Sequence, residues 1–212
     1  MTDQEQAAAY AAADFAEINE PIAGWFQRRF RPLGAGARLL DIGCGTADMT
    51  IRLTHAYPGI AALGIDGSEA MLLLGRDLVT QAGLASRIVL EHRYFPDAAL
   101  ETAGFDAVTA NNLLHHVADT ISFWTAARRC AKPGAPIFVA DLRRPPDSGA
   151  AEGLVERYAW RAMPPLRRDF LNSLHAAYTA EEVRHQLRDA GLAGFTVEEA
   201  GPLHLVVWGY GA

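Results

Sequence analysis

Leu39-Leu40-Asp41-Ile42-Gly43-Cys44-Gly45-Thr46-Ala47-Asp48 reads as an apolar strand that runs into a glycine turn and then opens a helix. In an open α/β sheet such a junction faces the crevice where nucleotide-like ligands bind. A turn built for a dinucleotide carries Gly-x-Gly-x-x-Gly, so that a pyrophosphate sits on the helix N-terminus. Here the last of those positions is Asp48, whose carboxylate repels a phosphate, and Asp41 adds a second negative charge at the strand end. The pair suits a ligand that carries positive charge and no phosphate.

Outward from this stretch the chain alternates between strand and helix. A helix is expected near residues 10–30, with Tyr10, Phe15, Ile18 and Trp25 as apolar positions. Strands are expected at 38–42, 61–65, 88–92, 106–110 and 136–140. Between them lie helices over about 47–57, from the N-cap Ser68 to near Gly83, and over about 119–131, with a short helix or loop at 97–102. This alternation predicts a parallel sheet covered on both faces. Residues 143–174 then carry helical segments without a strand signal, an insertion where a short link suffices. Thr179 and Glu182 form a capping box for a helix ending at Gly191. Residues 195–198 and 203–208, joined by Gly201-Pro202, read as a closing hairpin, which is necessarily antiparallel.

The chain has 212 residues, half of them hydrophobic, enough for one domain with a full core. Nineteen basic residues against 25 acidic ones give a net charge of −6, which argues against nucleic-acid binding. Met1 to Ala13 lacks the basic region and apolar run of a signal peptide, and no stretch reaches the roughly 20 apolar residues that span a bilayer. Cys44 and Cys130 form neither a metal-ligand spacing nor a disulfide framework. The expectation is a cytoplasmic protein in a reduced state, with no metal and no membrane partner, either monomer or homodimer.

Four segments, in order and at domain spacing, resemble the class I S-adenosylmethionine-dependent methyltransferases. They are Leu39 to Thr46, Gly64-Ile65-Asp66-Gly67-Ser68, the run from Asp106 through His115-His116-Val117, and Pro133-Gly134-Ala135. The resemblance implies a Rossmann-like α/β fold: a seven-stranded sheet, mostly parallel, with an antiparallel terminal hairpin and helices on both faces. It would form a single domain over 1–212, with residues 1–30 as a helical lid and 143–174 as a helical cap over the active site. S-adenosylmethionine, with its sulfonium and ammonium, fits the cationic ligand expected at Asp41 and Asp48; the product is S-adenosylhomocysteine.

By this resemblance Gly43, Cys44 and Gly45 form the close-approach loop, and Asp41 orders it and reaches the methionine ammonium. Asp66 takes the ribose hydroxyls, with Gly67 and Ser68 beneath ribose and adenine and Met71 against the adenine face. Asn111, ending the fourth strand, meets the methionine part. After strand three many members carry a Gly-Asp pair on the adenine amine; this chain has Arg93-Tyr94, so both become adenine candidates.

Methyl transfer needs a nucleophile held about 3 Å from the methyl, in line with the carbon–sulfur bond. A base is needed only for a protonated nucleophile. His115 and His116 follow strand four at the sheet's C-terminal edge, where either serves as base, His115 first. No carboxylate cluster demands a metal. The insertion is the segment suited to choosing the acceptor. Its six arginines (143, 144, 157, 161, 167 and 168) face only Asp147, Glu152 and Glu156, which suggests a small anionic acceptor, Arg143 being nearest the cleft. Tyr10 and Asp14 are candidate lid contacts, and Tyr158, Trp160, Asn172 and Tyr178 candidate wall residues; each reads equally as core or surface. Three rivals share these residues: a methyltransferase for a protein or nucleic acid, a nicotinamide-dependent oxidoreductase, and a non-catalytic S-adenosylmethionine-binding module.

Overall fold

The computed structural model describes residues 16–160 and 162–211. The central strand β1 (Arg38–Ile42) pairs in parallel with β2 (Ala61–Asp66) on one side and β4 (Ala107–Asn111) on the other. β3 (Ile88–His92) lies outside β2, and β5 (Pro136–Leu142) lies beside β4. The hairpin β6 (Thr196–Ala200) and β7 (His204–Tyr210) closes the sheet antiparallel to β5, giving the order β3-β2-β1-β4-β5-β7-β6. Strand order therefore reverses between β1 and β4, the switch point at whose C-terminal edge open α/β sheets hold their ligands in a crevice.

Alternation sorts the side chains to two faces. Leu40, Ile42, Val108, Ala110, Ile137 and Val139 bury one face against α4 (Thr120–Cys130) and α7 (Ala180–Asp189), through Phe123, Trp124, Val183 and Leu187. Leu39, Ala107, Phe138 and Ala140 bury the other against α1 (Ala16–Arg29), α2 (Asp48–Ala56) and α3 (Glu69–Gln81). Both faces are covered, so β5 is buried along its whole length. The caps expected from sequence form. Ser68 accepts from the Met71 N–H, and Thr179 and Glu182 make both arms of the capping box.

Several details differ from the sequence reading. The buried face of α1 runs through Ile22 and Phe26 and continues in Phe30 just past its end, with Trp25 only half-buried at its side. Tyr10 and Phe15 lie outside the described residues. β4 begins one residue later than expected, because the Asp106 carboxylate takes the Arg38 N–H and the Lys132 ammonium. β5 continues to Leu142, because β7 pairs with it as far as His204. Residues 97–102 take the loop form, one of the two expected, held where Arg129 donates to the carbonyls of Leu100 and Asp97.

The inserted segment forms α5 (Ser148–Tyr158) and α6 (Pro164–Ala176), which pack on each other around Leu142, Ala151, Val155, Leu174 and Leu203. Pro164 at the start of α6 has the dihedral a first turn requires. α6 also packs against a 3-10 turn, Leu114–His116, that follows β4.

Candidate functional site

Four parallel strands carry polar residues at or next to their C-terminal ends on this edge of the sheet: Asp41 on β1, Asp66 on β2, Asn111 on β4 and Asp141 on β5. After Ile42 the chain turns through Gly43 (φ +68°) and Gly45 (φ +54°), and the N–H groups of Gly43 and Cys44 donate to the Ile65 carbonyl at the end of β2. A Cβ on Gly43 would stand 2.7 Å from Leu113, so only glycine accommodates both the dihedral and the neighbour. Cys44 buries its side chain beside Gly64, leaving its backbone at the turn.

Asp41 is buried with both oxygens engaged. Thr50 donates to Oδ2 at 2.5 Å and Thr109 donates to Oδ1 at 2.9 Å. Burial outweighs these hydrogen bonds and lifts its pKa to about 6. Asp66 binds two loops together, taking the Gly45 N–H at 2.9 Å and the Ser68 N–H at 2.8 Å. Each of its oxygens keeps a second lone-pair direction. Met71 is buried, its methyl close to Gly45. Asp48 pairs with Arg52 at 2.9 Å in the first turn of α2.

Arg93 is held by Asp97 and Glu91, the two carboxylates that raise its pKa. Tyr94 is 73% exposed, its ring lying against Gly67, and the Gly67 carbonyl is 3.0 Å from His92 Nε2.

At the end of β4, Asn111 is followed by Asn112 in a left-handed conformation (φ +51°), with its N–H donated to Ala140. The Asn112 side-chain oxygen is buried and accepts no hydrogen bond. The 3-10 turn then places His115 against Asp141 of β5: Nδ1 is 2.6 Å from Oδ1, and both side chains are 3% exposed. The second oxygen of Asp141 accepts the Leu114 N–H at 2.5 Å. The His116 ring lies against His115, centroids 4.0 Å apart and planes tilted by 44°; desolvation and the neighbouring imidazole hold its pKa below the ordinary histidine value. His204, opposite Leu142 on β7, is buried, and desolvation lowers its pKa to about 4.

The insertion's candidates are dispersed. Arg143 is turned to the closing hairpin, where it pairs with Glu199. Arg144 engages Glu182 and the Ala177 carbonyl, Arg167 pairs with Glu156, and Arg157 lies over the Tyr158 ring. Asn172 and Trp160 are exposed, and Tyr158 packs on the core of the inserted helices. Tyr178 donates its hydroxyl to the Val117 carbonyl at 3.0 Å, joining the end of the inserted segment to the histidine turn. Tyr10 and Asp14 lie outside the described residues. Sequence reasoning missed Thr50, Thr109, Asn112 and Asp141. Only Asp141 carried a visible signal, a carboxylate closing the apolar run Pro136 to Ala140.

The fold and this crevice have counterparts among known proteins. The methyltransferase-domain family profile matches residues 40–137. A ubiquinone biosynthesis O-methyltransferase of Acinetobacter baumannii (strain ACICU) is 32% identical over 191 residues, covering 89% of this chain and 75% of that protein. The 27-O-demethylrifamycin SV methyltransferase of Amycolatopsis mediterranei (strain S699) is 29% identical, covering 84% of this chain and 61% of that one. In fold, the chain is similar to a SAM-dependent methyltransferase from Aquifex aeolicus, with a TM-score of 0.69 at 19% identity and 98% of each chain covered. The chain belongs to the class I S-adenosylmethionine-dependent methyltransferases. It is an enzyme that takes its methyl group from S-adenosylmethionine.

Proposed function

We propose that the enzyme methylates an oxygen of a small-molecule acceptor seated between the cap and the histidine turn. The packing of α6 on Leu114–His116 carries this reading, because it roofs the strand ends beside the crevice. An open groove for a macromolecule calls for the opposite arrangement. Two relatives bear names that specify small-molecule methylation, one of them O-methylation in ubiquinone biosynthesis, and this supports the same acceptor class here.

The residues at the crevice fit S-adenosylmethionine. Asp41 offers a negative charge to the methionine ammonium, and the Asn112 side-chain oxygen, buried without a hydrogen-bond partner, is a further acceptor just past the end of β4. Gly43 and Gly45 hold the left-handed turn that lets backbone approach a ligand closely, with Leu113 packed against the first and Met71 near the second. Asp66 would hold the ribose hydroxyls on its remaining lone pairs, with Gly67 and Ser68 beneath, and Asn111 would meet the methionine part. With Arg93 committed to two carboxylates, Tyr94 is the better adenine contact of the two. When bound, S-adenosylmethionine supplies a methyl group on a sulfonium, an excellent leaving group. The protein's work is to hold the acceptor oxygen in line at about 3 Å and to receive its proton.

An anionic acceptor gains no support from the cap arginines just described, since Arg143, Arg144 and Arg167 already face carboxylates. Cys44 and Cys130 are free and buried, which fits a reducing, cytoplasmic setting. Among the described residues no helix is long and apolar enough to cross a membrane.

Calorimetric titration with S-adenosylhomocysteine tests the cofactor assignment. Wild type is expected to bind in the micromolar range and Asp66→Ala at least tenfold more weakly. Equal affinities would remove Asp66 from the ribose. Labelled methyl donor offered with small phenols, with RNA and with protein separates the acceptor classes.

A further inference from the structure

We propose that a second small-molecule site lies on the sheet edge opposite the methyl-transfer crevice and takes a planar aromatic carboxylate. Two loops build it, each opening with a cation before a proline. Arg31-Pro32-Leu33-Gly34 leads from α1 towards β1, and Lys132-Pro133-Gly134-Ala135-Pro136 enters β5. With Phe30, Asp106 and Tyr210 they line a cavity of about 510 Å³, a volume in the range of small-molecule pockets. β1, β4 and β5 begin at this edge and β7 ends there. The site therefore stands a strand length, about 20 Å, from the residues that end those parallel strands. The Pro133-Gly134-Ala135 run, conspicuous in the sequence, falls here and takes no part in methyl transfer.

Walls and charge together select the ligand class. Pro32, Pro133 and Pro136 have a fixed φ and no N–H, so they present stiff apolar surface. Gly134, in a left-handed conformation (φ +75°), donates its N–H to the Gly211 carbonyl just past β7, which ties the second loop to the hairpin. Tyr210 is 51% exposed, and its ring meets Phe30 edge-on with centroids 5.8 Å apart. A ring anchored on one side and open on the other offers a face to a second ring. The two cations differ in state. Lys132 is neutralised by Asp106, whose oxygens it meets at 2.8 and 2.9 Å, and Asp106 also takes the Arg38 N–H. Arg31 is exposed and has no hydrogen-bond or ion-pair partner among the described residues. Arg31 and Lys132 against Asp106 leave the lining with a net charge of +1. A planar monoanion matches it, with its ring on Tyr210 and its carboxylate on the Arg31 guanidinium, which pairs with both oxygens of such a group. A neutral ring would leave that guanidinium unmatched.

Titration of the full chain with 2-naphthoate, in the presence of saturating S-adenosylhomocysteine, tests the site, with naphthalene-2-carboxamide as the neutral analogue. Sub-millimolar binding of 2-naphthoate is expected. The amide 1H–15N signals of Gly34, Gly134 and Tyr210 are expected to shift, while those of Gly43, Gly45 and Asn112 stay fixed. Affinity is expected to fall about fivefold or more for the carboxamide, and by a similar factor for 2-naphthoate on Arg31→Gln. Because Arg31 is exposed and unpaired among the described residues, Arg31→Gln is expected to keep the wild-type urea midpoint and S-adenosylhomocysteine affinity. Absence of binding at millimolar 2-naphthoate would overturn the proposal. Equal affinities of wild type and Arg31→Gln would do the same, as would shifts at the glycine turn in place of Gly34, Gly134 and Tyr210.

Discussion

Thr50, from the first helix after the glycine turn, donates its hydroxyl to the buried Asp41 at 2.5 Å and still leaves that carboxylate with a pKa of about 6. Burial is the larger effect, so the folded state keeps the Asp41 proton at a pH where the unfolded chain has lost it. Stability from this group is therefore full below about pH 4 and is lost as pH rises through about 6. The shift from 3.8 corresponds to about 3 kcal/mol. Relative to Asp41→Asn, ligand-free wild type is expected to lose stability by up to that amount between pH 4 and pH 7. Urea unfolding across that range checks it, and a constant gap between the two proteins would refute it. If Asp41 meets the methionine ammonium, binding favours its charged form. S-adenosylhomocysteine should then bind about tenfold more tightly at pH 7 than at pH 5.

Gly43→Ala combines a left-handed dihedral with a clash. The dihedral alone costs about 1–2 kcal/mol for a residue with a Cβ. The added carbon stands 2.7 Å from a Leu113 methyl and would push on the turn that carries both histidines. Adding Leu113→Ala is expected to restore the turn without restoring the full stability. A double-mutant cycle read by denaturation and turnover separates the two effects.

Arg29 joins α1 to the closing hairpin. It chelates Glu198 at 2.7 and 2.8 Å and lies 4.7 Å from the Trp208 ring centroid, while Trp208 donates its own N–H to Glu198. Arg29→Ala is expected to cost about 1–2 kcal/mol in urea unfolding, since the cation–π contact with Trp208 and the half-buried ion pair with Glu198 are lost together. Affinity for S-adenosylhomocysteine should be unchanged. A matching loss of affinity would mean that α1 shapes the crevice directly.

Tyr178→Phe removes the hydroxyl that ties the end of the cap to Val117. One hydrogen bond is worth about 1 kcal/mol, so the acceptor's KM is expected to rise about fivefold. S-adenosylhomocysteine binding should stay as in wild type. An effect on cofactor affinity instead would place Tyr178 outside the acceptor side of the site.

The parallel core was legible because buried strands carry unbroken apolar runs and the helices between them carry their own stop and start residues. Ser68, Asp119 and Thr179 cap helices within a residue of where sequence places them. The glycine turn was legible for the same local reason. Pairs that form only through sheet register were not. Asp141 and His115 are 26 residues apart, and Asp41 and Thr109 are 68 apart. Neither spacing has a periodicity to betray it. The direction of the inserted arginines was not legible, because a basic composition records charge and not where a guanidinium points. Glu199, which turns Arg143 away from the crevice, sits 56 positions later on another strand.

The inserted helices leave and rejoin the fold at one place. The backbone of Arg143 bridges to Tyr178, and the Arg144 N–H donates to the Tyr178 carbonyl. The 33 residues between Arg144 and Tyr178 are thus a cassette closed at its neck, with β5 on one side and the α7 capping box on the other. Its contents can lengthen, shorten or be replaced by recombination without changing the register of the strands that hold the methyl donor. Enzymes with this scaffold can therefore diverge in what they modify while the donor half of the reaction stays constant.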